Sequence, residues 1–431
     1  MKPFQIIFIS VFIIIAIAGV LTFALTGSKN AVTTQKATVW GTVSDSDFQQ
    51  LVSNINSQGQ VIDVTYQRHD AAKIDSDFVN ALAEGGGPDI IIYPDDKFLR
   101  YKAKLYQIPY SNFPERTYID TFVDSSNIFL GKDGVWAVPF MVDPLITYWN
   151  KATFNAAGIA NPPKKWSDLD ALAPKIIKKN AVGGISNALV AMGEYRNVNN
   201  AEDLLSTLIF QNHNPISTPS DLDRDQVNFV VDEQTNNFGD SIAALSFYTS
   251  FSNPDMPNYT WNRSFSNSND AFSGGNLAIY FGKASEINVI RNKNPNLYFD
   301  VAPILASDDV NVGNKTKATV YVMSLVKNSK NLAGGFAALN YLTNSDSQKL
   351  WATLSGLPPA RRDLLSAAPN DPFQSVFYAS AIRSETWLNP DPDQASLAFQ
   401  DMIESVSTGK QKANEVITPF ASRLRNMYLA K

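Results

Sequence analysis

The chain has 431 residues, roughly three times the ~150 residues of an average domain, so more than one folding unit is expected. Apolar residues make up 44% and charged residues 18%, which excludes a disordered or collagen-like chain. Thirty-six Lys and Arg against 41 Asp and Glu leave a net charge of −5 and no basic field for a phosphate backbone, so no nucleic acid partner is expected. Cysteine is absent, which removes disulfides, thiolate metal sites, cysteine nucleophiles and thioether lipid anchors. With only His69 and His213, and no D-x-[DN]-x-[DN]-G loop, neither a metal nor another cofactor is expected.

From Phe4 to Leu25 there is no charged residue. A helix of that length, at about 1.5 Å per residue, spans about 33 Å, enough for a bilayer core. The apolar run exceeds that of a cleavable leader, so an uncleaved signal anchor is favoured, although Ala16-Ile17-Ala18 supplies a small-x-small cleavage site. Residues 1–30 thus read as a single-pass transmembrane anchor, with the body outside the cytoplasm. Residues 31–37 read as a short polar tether that holds the body near the membrane face.

Thr38–Val43 reads as a strand, and Phe48, Leu51, Val52 and Ile55 follow at helical spacing. Val61–Tyr66 is rich in β-formers. Ile74, Phe78 and Leu82 then recur every four residues until Gly85-Gly86-Gly87-Pro88 stops the helix and Asp89–Tyr93 begins a strand. This β-α-β-α-β order predicts an α/β fold whose parallel sheet is covered on both faces. Ligands in such sheets sit beyond the carboxyl ends of the strands, which points at Trp40-Gly41-Thr42, Gln67-Arg68-His69 and Tyr93-Pro94-Asp95-Asp96.

Val135–Pro139 is a further strand leading through Asp143 into Ile146–Asn150, where the chain could cross to a second lobe. Ser167 with Asp170 resembles a capping box, with Leu169, Leu172 and Ile176 as the apolar stripe. Residues 197–237 read as long loops between helices, without a functional reading. Leu277–Phe281, Tyr298–Ala302 and Thr319–Val326 are late strands, and Ser345-Asp-Ser-Gln348 reads as a capping box that opens a helix. No repeat of fixed period is present, which excludes solenoids and propellers.

The glycine run precedes a strand and has no Lys-Ser/Thr after it, so it is a helix stop and not a phosphate cradle. There is no G-x-S-x-G elbow, and two histidines leave little material for a Ser/His/Asp triad. Aromatics, 11% of residues, instead stand beside Asp or Asn near predicted strand ends. That combination suits sugars, whose C–H faces pack on aromatic rings while their hydroxyls need carboxylate and amide partners. For Trp261, stacking on a ligand and core burial remain equally open, whereas Trp387 reads as packing.

Several segments, in order, resemble the family 1 extracellular solute-binding proteins of bacterial ABC sugar importers. They are Thr38-Val-Trp-Gly41, Gly87-Pro-Asp-Ile-Ile91, and Val135-Trp-Ala-Val-Pro139 through Asp143 to Tyr148-Trp-Asn-Lys151. Phe154-Asn-Ala-Ala-Gly-Ile159, Pro162–Trp166, Phe272–Ile279 and Gly356–Asp363 continue the match. The sequence departs from the pattern in lacking a lipobox cysteine, and in Gly275-Asn276 where Gly-Lys is usual.

The resemblance implies a two-lobed periplasmic-binding-protein-like fold of type II, not an enzyme, that closes over a small-molecule ligand without chemistry and presents it to ABC transporter permease subunits. It places residues 38–142 and 304–345 in lobe one and residues 143–303 and 346–431 in lobe two, with crossings near Asp143 and Pro303. Its position-by-position implication for ligand contact is Trp40, Tyr93, Asp95 and Asp143 from one side and Tyr259, Trp261, Tyr280 and Phe281 from the other. Trp40 and Trp261 would stack on sugar faces, Asp95 and Asp143 would accept hydroxyl protons, and Tyr280 and Phe281 would line the cleft. The alternatives are a binder of another solute, such as a peptide or polyamine, and a glycoside hydrolase.

Overall fold

A computed structural model describes residues 35–57, 62–181, 183–212, 214–220, 227–229, 239–309, 313–367 and 369–430. The expected anchor at Phe4–Leu25, most of the tether, and His213 lie outside these residues. Among the described residues no helix is long and apolar enough to cross a membrane.

The β-α-β-α-β reading is realised as strand Gln35–Gly41, helix Asp45–Ser57, strand Ile62–Arg68, helix Ile74–Ala83 and strand Ile90–Pro94. The apolar periodicity dictates this packing: Phe48, Leu51, Val52 and Ile55 are the buried residues of the first helix, Ile74 and Phe78 those of the second. Gly85 and Gly87 adopt positive φ (72° and 106°), so the second helix ends where only glycine takes the backbone without strain. Gln35–Gly41 pairs in parallel with both other strands, and the carboxyl ends of all three open on one edge.

A ten-stranded sheet organises the molecule. Its pivot is the crossing strand Val138–Asn150, thirteen residues that are all buried and apolar apart from Asp143, Thr147 and Asn150. Before Leu145 this strand pairs antiparallel with Thr316–Leu325, which lies against Ile90–Pro94 and so joins the first half of the sheet. From Leu145 onward it pairs with Leu277–Lys283 on one side, and its last residues, Thr147–Asn150, pair with Phe299–Ala302 on the other. Ile185–Val190 and Lys178–Lys179 continue the second half. The strand thus changes neighbours at Pro144, and the chain returns to the first half between Ala302 and Thr316.

Three local expectations are corrected. Helix Ser345–Ser355 is capped by Asn344, whose side chain accepts from Ser347 N–H. No S-x-x-Q box forms, because Gln348 Nε2 donates instead to the Pro139 carbonyl (2.8 Å) and its Oε1 accepts from Ala360 N–H (2.9 Å). Ser167 makes no cap bond, since the neighbouring Asp168 carboxylate takes the free N–H groups of Lys164 and Lys165. Residues 197–237 contain a helix, Ala201–Phe210, whose first turn alone carries polar partly exposed residues, Glu202 and Asp203.

The carboxy-terminal region divides between the two halves. Helix Ser345–Ser355 packs on Asp45–Ser57, with the Trp351 and Phe48 rings 6.1 Å apart, on the first-half side and not with the second lobe expected for residues 346–431. Helices Pro392–Ser407 and Ala413–Leu429 pack on each other and on Gly239–Ser250 in the second half. Trp387 is buried against Phe399, as a packing residue.

Candidate functional site

The two halves meet along a seam at the carboxyl ends of the first three strands. Pro94 ends the third strand and Asp95 begins a short 3-10 turn, which drives its carboxylate inward. Asp95 is buried and fully engaged: Oδ1 accepts from Val320 N–H at 2.9 Å, and Oδ2 accepts from Lys317 Nζ at 3.2 Å and from the Thr386 hydroxyl. A charge taken out of water needs such partners, because an unpaired buried ion costs several kcal/mol. The carboxylate thus ties together segments more than 200 positions apart.

Across the seam, Lys283 at the end of Leu277–Lys283 reaches Asp203 Oδ2 at 3.1 Å and Thr319 Oγ1 at 2.9 Å. Burial opposes its charge, yet the Asp203 and Asp143 carboxylates raise the lysine above its usual range. Burial likewise works against the Asp203 anion, but Lys283 and Lys317 hold its carboxyl below the usual range. Asp143 accepts from Ser285 N–H at 2.9 Å, and burial pushes its carboxyl up. Tyr321, on the return strand beside these groups, is raised to about 12 by burial.

Two carboxyls at the seam have no such partners among the described residues. Asp96, next to Asp95, forms no ion pair or side-chain hydrogen bond among the described residues, and its Oδ1 is sealed from solvent and unsatisfied. Burial, then Asp95, pushes it up to about 7. Glu202, in the first turn of Ala201–Phe210, also forms no ion pair among the described residues, and burial with the adjacent Asp203 pushes it up to about 8. Asp96 and Glu202 come from opposite halves and each lies within the field of Lys317 and Lys283.

Trp40 and His69, at the ends of the first two strands, pack against each other with ring centroids 4.2 Å apart. His69 Nδ1 lies 2.8 Å from Asp77 Oδ2, its side chain is 8% exposed, and Nε2 has no partner. Trp40 shares a hydrophobic cluster with Tyr93, Val320 and Leu388, against which Tyr428 packs, so residues from the carboxy-terminal region already cover the strand ends.

The eight residues singled out from sequence are not all at the seam. Asp95 and Asp143 are, and Trp40 stands at its first-half rim. Tyr93 is buried with its hydroxyl 2.8 Å from Ser324 Oγ. Trp261 is fully buried, stacked on Phe265 (4.5 Å, 10°), and donates from Nε1 to Asn197 Oδ1 at 3.1 Å. Tyr280 donates its hydroxyl to Glu286 and accepts from Asn200, and Phe281 packs 5.3 Å from Trp166. Tyr259 lies elsewhere, beside a surface groove of about 970 Å³ lined by second-half residues including Asp170 and Pro257. Sequence reasoning passed over Glu202, Asp203, Lys283, Lys317 and Thr319. Only Asp96 carried a signal, as a member of the Tyr93–Asp96 loop.

Among the described residues no three His, Asp or Glu side chains converge as metal ligands. The seam can offer carboxylates, ammonium groups, hydroxyls and an aromatic rim to a polar molecule, an arrangement suited to binding.

Comparison with known proteins fits this arrangement. The cyclo/maltodextrin-binding protein solved with maltotetraose shares the fold at a TM-score of 0.73 and 15% identity, over 92% of this chain and 98% of that one. The GacH receptor of Streptomyces glaucescens, solved unliganded and with acarbose, gives 0.67 and 16%, over 91% and 98%. An ABC transporter solute-binding protein from Thermotoga lettingae, bound with α-D-tagatose, gives 0.65 and 18%, over 91% and 100%. No curated protein matches the chain in sequence. The family description that matches residues 50–375 is that of a bacterial extracellular solute-binding protein. The chain therefore belongs to the bacterial extracellular solute-binding proteins, a family of binders and not of enzymes whose folded bodies work outside the cytoplasm.

Proposed function

We propose that the chain captures a sugar or oligosaccharide between two lobes and hands it, unaltered, to the permease of an ABC importer. The observation that carries this reading is the fold shared over about nine tenths of the chain with proteins solved holding maltotetraose and α-D-tagatose. The lobes are the two halves of the sheet, joined at the crossing strand. Seam groups drawn from both, such as Lys283 with Thr319 and Asp203, would favour the shut form once a ligand bridges them, because only differential affinity shifts such an equilibrium. Phe4–Leu25 would anchor the body as a single-pass segment, keeping it beside the permease.

Thermal unfolding of the purified protein against a carbohydrate panel tests this. A ligand at about 100 times its Kd adds about 2.7 kcal/mol of stability, a shift of several degrees. At least one oligosaccharide should stabilise the protein and be recovered uncleaved, and Trp40→Ala should shrink the shift. Silence across all sugars, with a response to peptides or polyamines, would overturn the carbohydrate reading, and recovery of cleaved sugar would overturn the non-enzymatic one.

A further inference from the structure

Resting on the carbohydrate reading, we propose that His69 is a specificity-determining contact, its ring Nε2 hydrogen-bonding one hydroxyl of the sugar whose C–H face lies on Trp40.

The imidazole is held from three directions and has one atom left over. His69 directly follows strand Ile62–Arg68 at the carboxyl edge of the sheet, and its amide donates to the Gly41 carbonyl, beside Trp40, at 2.8 Å. The ring lies against the Trp40 indole with centroids 4.2 Å apart, tilted by 36°. Nδ1 stands 2.8 Å from Asp77 Oδ2 on helix Ile74–Ala83. An ionised carboxylate can only accept, so Nδ1 carries the proton of that bond. Nε2, across the ring, points away from Asp77. The side chain is 8% exposed, and Nε2 is sealed from solvent with no hydrogen-bond partner among the described residues.

A histidine kept for packing or for its ion pair normally turns the spare nitrogen to water, because a buried polar atom left unbonded costs stability. Here that nitrogen is neither bonded nor wet. With Asp77 fixing the ring and Trp40 fixing its tilt, Nε2 is one preformed half of a hydrogen bond, and a ligand brings the other half without reorganising the protein.

The neighbours define the chemistry of that ligand. Trp40 offers an indole to an apolar C–H patch, and the polar group must arrive at the edge of the same platform. A hydroxyl both donates and accepts, so it satisfies the lone pair of a neutral imidazole and the N–H of an imidazolium alike. An ammonium can only donate and a carboxylate can only accept. A sugar ring carries an apolar face and rim hydroxyls together, which is the pair of needs that Trp40 and His69 present. Tyr428, which packs on the Trp40 cluster, stands on helix Ala413–Leu429 and travels with the second half, so parting of the halves opens the way to both rings.

The chain has two histidines, His69 and His213, so nitrogen NMR of the full-length protein with isotopically labelled histidine shows two rings, assigned with His213→Gln. Maltotetraose, mannotriose and α-D-tagatose are the probes, followed by the monodeoxy forms of whichever binds. Binding should move the His69 Nε2 resonance and leave Nδ1, held by Asp77, nearly in place. In calorimetry one monodeoxy form should bind about ten-fold more weakly than its parent. His69→Phe keeps a ring against Trp40 and leaves the exposed Asp77 to water; it should abolish the distinction between the parent and that one form while the other forms keep theirs. The wild-type spectrum needs no variant at position 69, so misfolding of His69→Phe would not decide the matter. Sugar binding with the Nε2 resonance unmoved, or with every distinction retained in His69→Phe, would overturn the role of His69 and leave carbohydrate capture standing. Binding of spermidine with no sugar bound would overturn both.

Discussion

Glu202 offers a direct check on the seam through pH. Its carboxyl holds a proton up to about 8 in the folded chain, against 4.5 when unfolded, because burial and Asp203 disfavour the anion. Below pH 4.5 both states are protonated and the group is silent. Between 4.5 and 8 the folded state binds the proton that the unfolded state has released, so stability falls as pH rises through that window. At about 1.4 kcal/mol per unit the full displacement sets a ceiling near 5 kcal/mol. Two effects reduce it: the helix N-terminus favours an ionised carboxylate by about 0.3–1 kcal/mol, and separation of the halves would rehydrate the group. A loss of roughly 2–3 kcal/mol between pH 5 and pH 8.5 is expected. With a urea dependence of about 3 kcal/mol per molar for a chain of this size, the midpoint should fall by roughly 0.7–1 M. Glu202→Gln keeps the shape of the neutral acid and removes the titration. The variant should match the wild type at pH 5 and exceed it at pH 8.5, measured by urea denaturation in ligand-free buffer. Midpoints of the two proteins that run parallel across the range would refute the unpaired, protonated state assigned to Glu202.

Two other outcomes follow from the packing. Trp261→Ala removes a fully buried indole from its stack on Phe265 and strands Asn197 Oδ1, so it should cost about 3–5 kcal/mol in denaturation, with Trp261→Phe losing less. An unchanged midpoint would contradict the core role. Arg100 grips Asp75 in its own half (2.7 Å) and both Asp391 (3.0 Å) and Asp393 (2.7 Å) at the helix start opposite. At 25% exposure each pair contributes about 0.2–1 kcal/mol, so Arg100→Ala should enlarge the radius of gyration of the ligand-free protein in X-ray scattering, and high salt should do so partly in the wild type. Superimposable curves would show that this clasp does not hold the halves together.

Much of the first half was legible because its elements are local and periodic. Phe48, Leu51, Val52 and Ile55 declare a helix face, Ile90-Ile-Ile-Tyr93 a strand, and Gly85–Pro88 the break between them. The capping signal near Ser345 was misplaced by one residue because Asn344, an equally good cap, stands just before it and leaves Gln348 free to bond Pro139 and Ala360. Trp261 could not be assigned from its neighbours in sequence, since its fate depends on Asn197, 64 positions away. The seam was the least legible part. Whether an acid is paired is a property of space: Asp95 and Asp96 are adjacent in sequence, yet one meets Lys317 from 222 positions away and the other's Oδ1 meets no partner among the described residues. The resemblance identified the family but carried site positions that the chain fills with its own internal bonds, as at Tyr93 and Tyr280.

Proline 144 occupies the point where the crossing strand trades one set of neighbours for another. Lacking an amide hydrogen, it donates no rung to the ladder, as is also true of Pro139 nearer the start of the strand, beside the register shift at Tyr321 and Val322. Flexure concentrated at such a gap turns a slight local twist into a wide sweep at the distant margin, where Ile62–Arg68 forms the outermost strand. If the halves close as proposed, this strand would act as one of the wires in a clothes-peg's spring, yielding where its neighbours change.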